Sequence, residues 1–322
     1  MITNRFPIFR RIAWVGLATA LLFSIPFATA QDDDKQQHQL SDKVSDALQK
    51  LKPLQDAKNY SAMMAIVDST LGQVQPTSYD AAYLYDVKAR LYVGMEKYDS
   101  AIEPWEQALN LSDQFHYFDE RQSQDLRKFV AQLLFSEAIN SKEKAVQRRD
   151  VNASAQYLKA YLAHTPKPEA DTQMLYAQIL YYRATSDEGH IDQAALKEAR
   201  QIVEEGLKTA VHPRESFYLL LLTIMQQQND NTHAAQVMEV VLRSNPNRKD
   251  IWPTLFSTYY NLASTSKEGS DQQRDYFIRA IVTIERAQKY GFMNTPRDNY
   301  NLFTLYVAAG QPSIATDLLY HG

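Results

Sequence analysis

The chain has 322 residues, a formal net charge of −4 and a 45% hydrophobic share, with only 9 glycines and 12 prolines. That share excludes wholesale disorder, and the scarcity of helix breakers beside abundant Ala, Leu, Gln, Glu and Lys favours helix. The complete lack of cysteine excludes disulfides, thiolate metal sites, iron–sulfur clusters, a cysteine nucleophile and a cysteine-linked lipid anchor.

Residues 1–30 read as a secretory signal peptide. Arg5, Arg10 and Arg11 make a basic start, "IAWVGLATALLFSIPFATA" is apolar, and Ala28-Thr29-Ala30 offers small residues for cleavage before Gln31. The competing reading is a retained anchor, since Ile12 to Ala30 runs nineteen residues without a charge. Pro26 and the small-residue end favour cleavage. Loss of three arginines and no acid moves the balance to about −7, which with no basic block argues against nucleic acid as a partner. No later apolar segment is long enough to span a bilayer. An exported chain without cysteine fits the periplasm of a Gram-negative bacterium.

Residues 31–40 are a polar, flexible N-terminus. From Ser41 onward helical segments alternate with short breaks, and no β-type alternation is sustained. Residues 41–75 form a degenerate first hairpin. In 79–113, Tyr85, Ala89 and Tyr92 share one helical face at spacings of four and three, and after "MEKYDS" Ala101, Trp105 and Ala108 repeat that spacing. Small residues let two helices approach closely while aromatics fill the space above and below. Residues 120–166 make an elongated hairpin ended by Pro166, and 170–210 make one interrupted by the polar loop "TSDEGHID".

The spacing returns in 214–246, with Tyr218, Leu222 and Met225, then Ala234, Met238 and Val241, and Pro246 as the stop. In 249–290, Trp252, Leu255, Phe256 and Tyr259 precede Ala280, Ile284 and Ala287. The last copy, 297–322, runs from Leu302, Phe303 and Tyr306 through Gly310 to Ala315 and Leu319. About seven hairpins result, and a hairpin that buries one side needs neighbours.

These residues resemble the tetratricopeptide repeat, a helical hairpin of about 34 residues whose second helix carries two small residues seven apart. The resemblance implies an all-α fold, a right-handed superhelical solenoid whose first helices line a concave groove. In that register the groove is faced by Tyr83, Asp86 and Arg90, then Thr223, Gln226 and Gln227, then Ser257, Tyr260 and Asn261, then Arg297 and Tyr300. A polar and aromatic lining suits a protein or extended peptide held by backbone hydrogen bonds and tyrosine stacking. The basic cradle of the carboxylate-clamp repeats is missing from Asp86 and Arg90. The apolar end Leu318-Leu319-Tyr320 either packs inward as a short cap or presents an open edge to a partner or, by self-association, to a second copy.

Nothing nominates an enzyme, a metal or another cofactor. The seven histidines never fall three or four apart, and there is no phosphate-binding loop, dinucleotide glycine pattern or nucleophile elbow. Residues 212–322 carry a narrower resemblance through "HPRESFYLLLL", "SNPNRKD" and the tryptophan helix that follows. They are similar to the periplasmic repeat proteins associated with TonB–ExbB–ExbD energy-transduction systems, departing from them at "QQQNDNTHAA". That resemblance implies an accessory role through protein contacts. The expectation is thus a non-catalytic periplasmic scaffold. The alternatives are a chaperone-like envelope-biogenesis factor that captures extended clients, and, further off, an enzyme or the regulatory half of one.

Overall fold

The computed structural model describes residues 38–187 and 189–321, with side chains described as far as residue 316. The signal-peptide reading of residues 1–30, most of the polar stretch 31–40 and the side chains of Leu318, Leu319 and Tyr320 lie outside the described residues. The fold is all-α, and no strand occurs among the described residues. The helices are α1 (Asp42–Asp56), α2 (Tyr60–Leu71), α3 (Tyr79–Gly94), α4 (Tyr98–Phe115), α5 (Glu120–Asn140), α6 (Lys144–Ala163) and α7 (Ala170–Thr185). They continue as α8 (Gln193–Thr209), α9 (Glu215–Gln227), α10 (Asn231–Ser244), α11 (Ile251–Thr265), α12 (Asp271–Lys289), α13 (Pro296–Ala308) and α14 (Pro312–His321). Each odd-numbered helix packs on the even-numbered helix that follows it. None is long and apolar enough to cross a membrane.

The chain divides into two compact units, one holding α1 to α6 and ending at Lys167, the other holding α7 to α14 from Pro168. In the first unit, α2 packs on α3 and α4 on α5. Ala89, Ala101 and Ala108 are wholly buried where helices touch, and Trp105 fills the space between them with 1% exposure. Tyr85 and Tyr92 pack against this cluster while partly exposed. A second cluster joins Val44, Leu48 and Leu51 of α1 and Met63 and Val67 of α2 to Leu84, Val87 and Leu91 of α3.

In the second unit, α8 packs on α9, α10 on α11 and α12 on α13. Ala234, Trp252, Ala280, Ala287 and Ala315 are all buried, and the Trp252 Nε1–H donates to the Pro246 carbonyl at 2.9 Å. Charged ties run beside the apolar seam. Arg200 of α8 donates to Gln228 and Asp230 at the α9–α10 turn, and Arg248 joins Glu215 of α9 to Asp250. Tyrosine hydroxyls recur as bridges between consecutive helices: Tyr259 of α11 donates to Glu239 of α10, and Tyr306 of α13 donates to Glu285 of α12. The carboxylate beside Tyr306 adds to the effect of burial, so its phenol is pushed up to about 12.

Four of the hairpins close with one turn. Lys58, Glu96, Asn229 and Gly310 each follow a first helix in the left-handed region, at φ between 52° and 75°. The next residue returns its N–H five residues back: Asn59 to Leu54, Lys97 to Tyr92, Asp230 to Met225 and Gln311 to Tyr306, at 2.8–2.9 Å. This is the Schellman closure, which satisfies carbonyls that a helix end would otherwise leave bare. Asn59 and Asp230 also cap the second helix, accepting from the N–H groups of Ala62 and His233. Asn59 and Asp230 therefore each serve two helix ends.

Candidate partner-binding face

The predicted groove residues separate by unit. In the first unit two of them are corrected. Tyr83 is 7% exposed and belongs to the core shared with α1 and α2, and Asp86 is 4% exposed. Asp86 Oδ1 accepts from Trp105 Nε1 at 2.8 Å and Oδ2 from Arg90 Nε at 3.0 Å. At that burial, with each oxygen bonded within the fold, the carboxylate does not face a partner. It satisfies the buried indole N–H, and Arg90 is held beside it half-buried.

In the second unit the predicted residues lie at the surface. Ser257, Tyr260 and Asn261 form one exposed stripe on α11, which Pro253 and Ser264 extend at helical spacing. The Tyr260 ring is 46% exposed. It is held from behind by Phe256, tilted at 6.2 Å, and by Phe277 of α12, edge-on at 6.5 Å. A ring already fixed by two others loses little freedom when a ligand stacks on it. Asn261 keeps its amide free of partners among the described residues, exposed one position beyond Tyr260.

On α13, Arg297 and Tyr300 are exposed, and Thr304, Val307 and Ala308 continue their face. Tyr300 is 66% and Val307 50% exposed. The capping box in which Thr295 and Asp298 bond reciprocally fixes the start of this helix. On α9, Thr223, Gln226 and Gln227 are partly exposed. Thr223 donates to the Leu219 carbonyl of its own helix, and Gln227 is hydrogen-bonded to the Tyr181 hydroxyl of α7. That second contact ties Gln227 to the fold and leaves Gln226 as the more available amide.

Exposed large apolar side chains crowd into the same stretch. Between Tyr260 and Ile314 the second unit exposes Tyr260, Ile278, Val282, Tyr290, Tyr300, Val307 and Ile314, whereas Phe115 is the counterpart in the first unit among its described residues. Val307 was not among the predicted residues, although it stands seven positions after Tyr300. Gly206 of α8 was likewise missed, although it stands seven after Ala199. A Cβ there would lie 2.9 Å from Phe217 Cε1 and 3.3 Å from Gln173 Oε1, so it is the small contact residue of that hairpin. Among the described residues no group of three or more histidines and carboxylates is placed to hold a metal ion.

By fold, then, the two units are arrays of helix–turn–helix repeats with aromatic and hydrogen-bonding groups displayed on first helices. No protein-family profile and no curated protein sequence matches the chain. Its fold is similar to several solved structures, among them two tetratricopeptide repeat proteins. A tetratricopeptide repeat protein from Parabacteroides merdae aligns at 10% identity over 86% of this chain and 91% of that one, with a TM-score of 0.41. YrrB, a tetratricopeptide repeat protein with an unusual peptide-binding site, aligns at 11% identity over 66% and 92%, with a TM-score of 0.40. The nuclear import adaptor Nro1 of S. pombe aligns at 10% identity over 81% and 98%, with a TM-score of 0.44.

Proposed function

We propose that the chain is a non-catalytic scaffold that binds an extended segment of another protein on the outward face of its second-unit first helices. The observation that carries this reading is the exposed row on α11 and α13, in which Tyr260, Tyr300 and Val307 stand 46–66% exposed among Ser257, Asn261 and Arg297. Buried aromatics give a fold stability, whereas braced but exposed ones offer area to a ligand. The side-chain hydroxyls and amides beside them supply donors and acceptors for a peptide backbone. The proposed compartment is the periplasm, resting on the apolar, small-residue-ended start of the sequence. The proposed setting is a cell-envelope complex of the TonB-associated kind, resting on residues 212–322.

Co-purification from periplasmic extract tests this reading. The expected result is one partner in fixed stoichiometry, lost when Tyr260 and Tyr300 are both replaced by Ala and retained by a surface control such as Gln201→Ala. Recovery of many unfolded proteins would indicate the chaperone-like alternative. Recovery of the same partner by wild type and double variant alike would remove this face from the site.

A further inference from the structure

Helix α12 departs from α4, α8 and α10 at two solvent-side positions. In α4, α8 and α10 the two positions flanking the first small contact residue point outward: Asp99 and Glu103 around Ala101, Lys197 and Gln201 around Ala199, Thr232 and Gln236 around Ala234. All six are polar and exposed. Around Ala280 the equivalents are Ile278 and Val282, 41% and 36% exposed and one turn apart. Two aliphatic side chains in water on one helical face cost solvation that a partner would recover.

The charges on that face are arranged by end. Asp271, fully exposed, and Asp275 stand toward the N-terminus. Arg286 and Lys289 stand in the last turn, exposed and without a carboxylate partner among the described residues. Arg274 is drawn toward Asp271 at 3.7 Å, and Arg279 is taken by Asp275 and Glu239. The order along the face is acidic, apolar, apolar, basic, with Asp271 and Lys289 nine residues either side of Ala280 and Ile278 and Val282 two residues either side. Turned end for end, the face meets its own complement.

We propose that α12 pairs antiparallel with α12 of a second copy about a two-fold axis near Ala280. Ile278 packs on Val282 of the other chain and Val282 on Ile278, while Lys289 and Arg286 reach Asp271 and Asp275. A two-fold contact uses the same patch twice, so a self-complementary pattern is what it requires. An anionic membrane is a poorer occupant, because surface binding of that kind takes clusters of about four to eight basic residues. A foreign acidic helix would leave the acidic end of the face opposed by like charge. A single helix pair buries little area, so the dimer is a weak one, in the micromolar range. It presents two copies of the tyrosine face, and a partner with two binding segments gains avidity from that. The pairing rests on α12 alone and stands whether or not the tyrosine face binds peptide.

Sedimentation equilibrium of the purified protein across a wide concentration range tests the pairing. The expected result is a reversible monomer–dimer equilibrium that Ile278→Glu with Val282→Glu abolishes, with thermal unfolding unchanged because both sites are exposed. Asp271→Lys and Lys289→Glu should each weaken the dimer about tenfold, and the double swap in one chain should restore it. A monomer at every concentration would overturn the proposal. So would a dimer indifferent to the apolar pair, or single swaps whose combination fails to restore association.

Discussion

Trp105 of α4 donates its indole N–H to Asp86 of α3 across 2.8 Å, with the two side chains 1% and 4% exposed. The bond joins the two helices of one hairpin at its centre, and Arg90 completes the carboxylate's coordination. Replacing Asp86 by Ala leaves a buried N–H and a half-buried guanidinium without acceptors. The expected loss is about 2–4 kcal/mol in urea unfolding. Asp86→Asn keeps an oxygen for Trp105 and should cost visibly less. Equal losses for the two variants would mean that the indole bond contributes nothing.

Gly206 tests the close approach of helices in the second unit. Alanine is the better helix former by about 1 kcal/mol. Here its Cβ would come within 2.9 Å of the Phe217 ring, itself 2% exposed. Overpacking of this kind costs about 1–3 kcal/mol. Gly206→Ala should therefore lower the melting temperature, and a raised one would show that Phe217 can move aside.

The left-handed turn residues give a prediction of opposite sign. Glu96 adopts φ 59° where glycine would carry no Cβ penalty. Glu96→Gly should stabilise by about 1 kcal/mol, and Gly310→Ala, at φ 75°, should destabilise by a similar amount. Denaturant midpoints for the two variants check both signs together.

Acid should act on the two units in opposite senses. In the first, burial pushes the Glu106 and Glu137 carboxyls above the ordinary glutamate value of 4.5, and buried Asp150 adds to it. A raised carboxyl in the folded state takes up a proton that the unfolded chain does not. Its contribution to stability therefore rises as pH falls through the window just above 4.5. In the second unit, burial alone would raise Asp230, but hydrogen bonds from Arg200 and His233 hold it below 3.8. The Arg248 hydrogen bond does the same for Asp250. Their contribution is complete above the ordinary aspartate value and disappears as pH falls through the lowered one. Hydrogen exchange, corrected for the intrinsic pH dependence of the amides, should show α4 to α6 gaining protection as pH falls toward 4.5 from above. Glu106→Gln with Glu137→Gln should remove the gain. Below about pH 4, α9 to α11 should lose protection. Parallel losses in both units through the higher window would contradict these assignments.

The helical class and hairpin spacing were legible because the small residues repeat at fixed offsets, and burial of Ala101, Ala108, Ala280 and Ala287 follows directly from that spacing. The surface was legible only in part. Ser257, Tyr260 and Asn261 are exposed, because Trp252, Leu255, Tyr259 and Ala263 take the inward positions of the same helix. Around Asp86 the same register failed, because a buried indole needed an acceptor and polarity alone does not say which way a residue points. The left-handed closures at Lys58, Glu96 and Asn229 were hidden because hydrogen bonding forces a conformation that glycine would have advertised.

The central claim is that Tyr260 and Tyr300 hold an extended peptide. It is tested most directly by selecting short unstructured peptides against the purified protein and measuring the dissociation constant of the best binder. Wild type should bind saturably, and Tyr260→Ala with Tyr300→Ala should weaken that binding by about tenfold or more while leaving the melting temperature unchanged. Equal affinity in the double variant, or no saturable peptide binding to wild type, would contradict it.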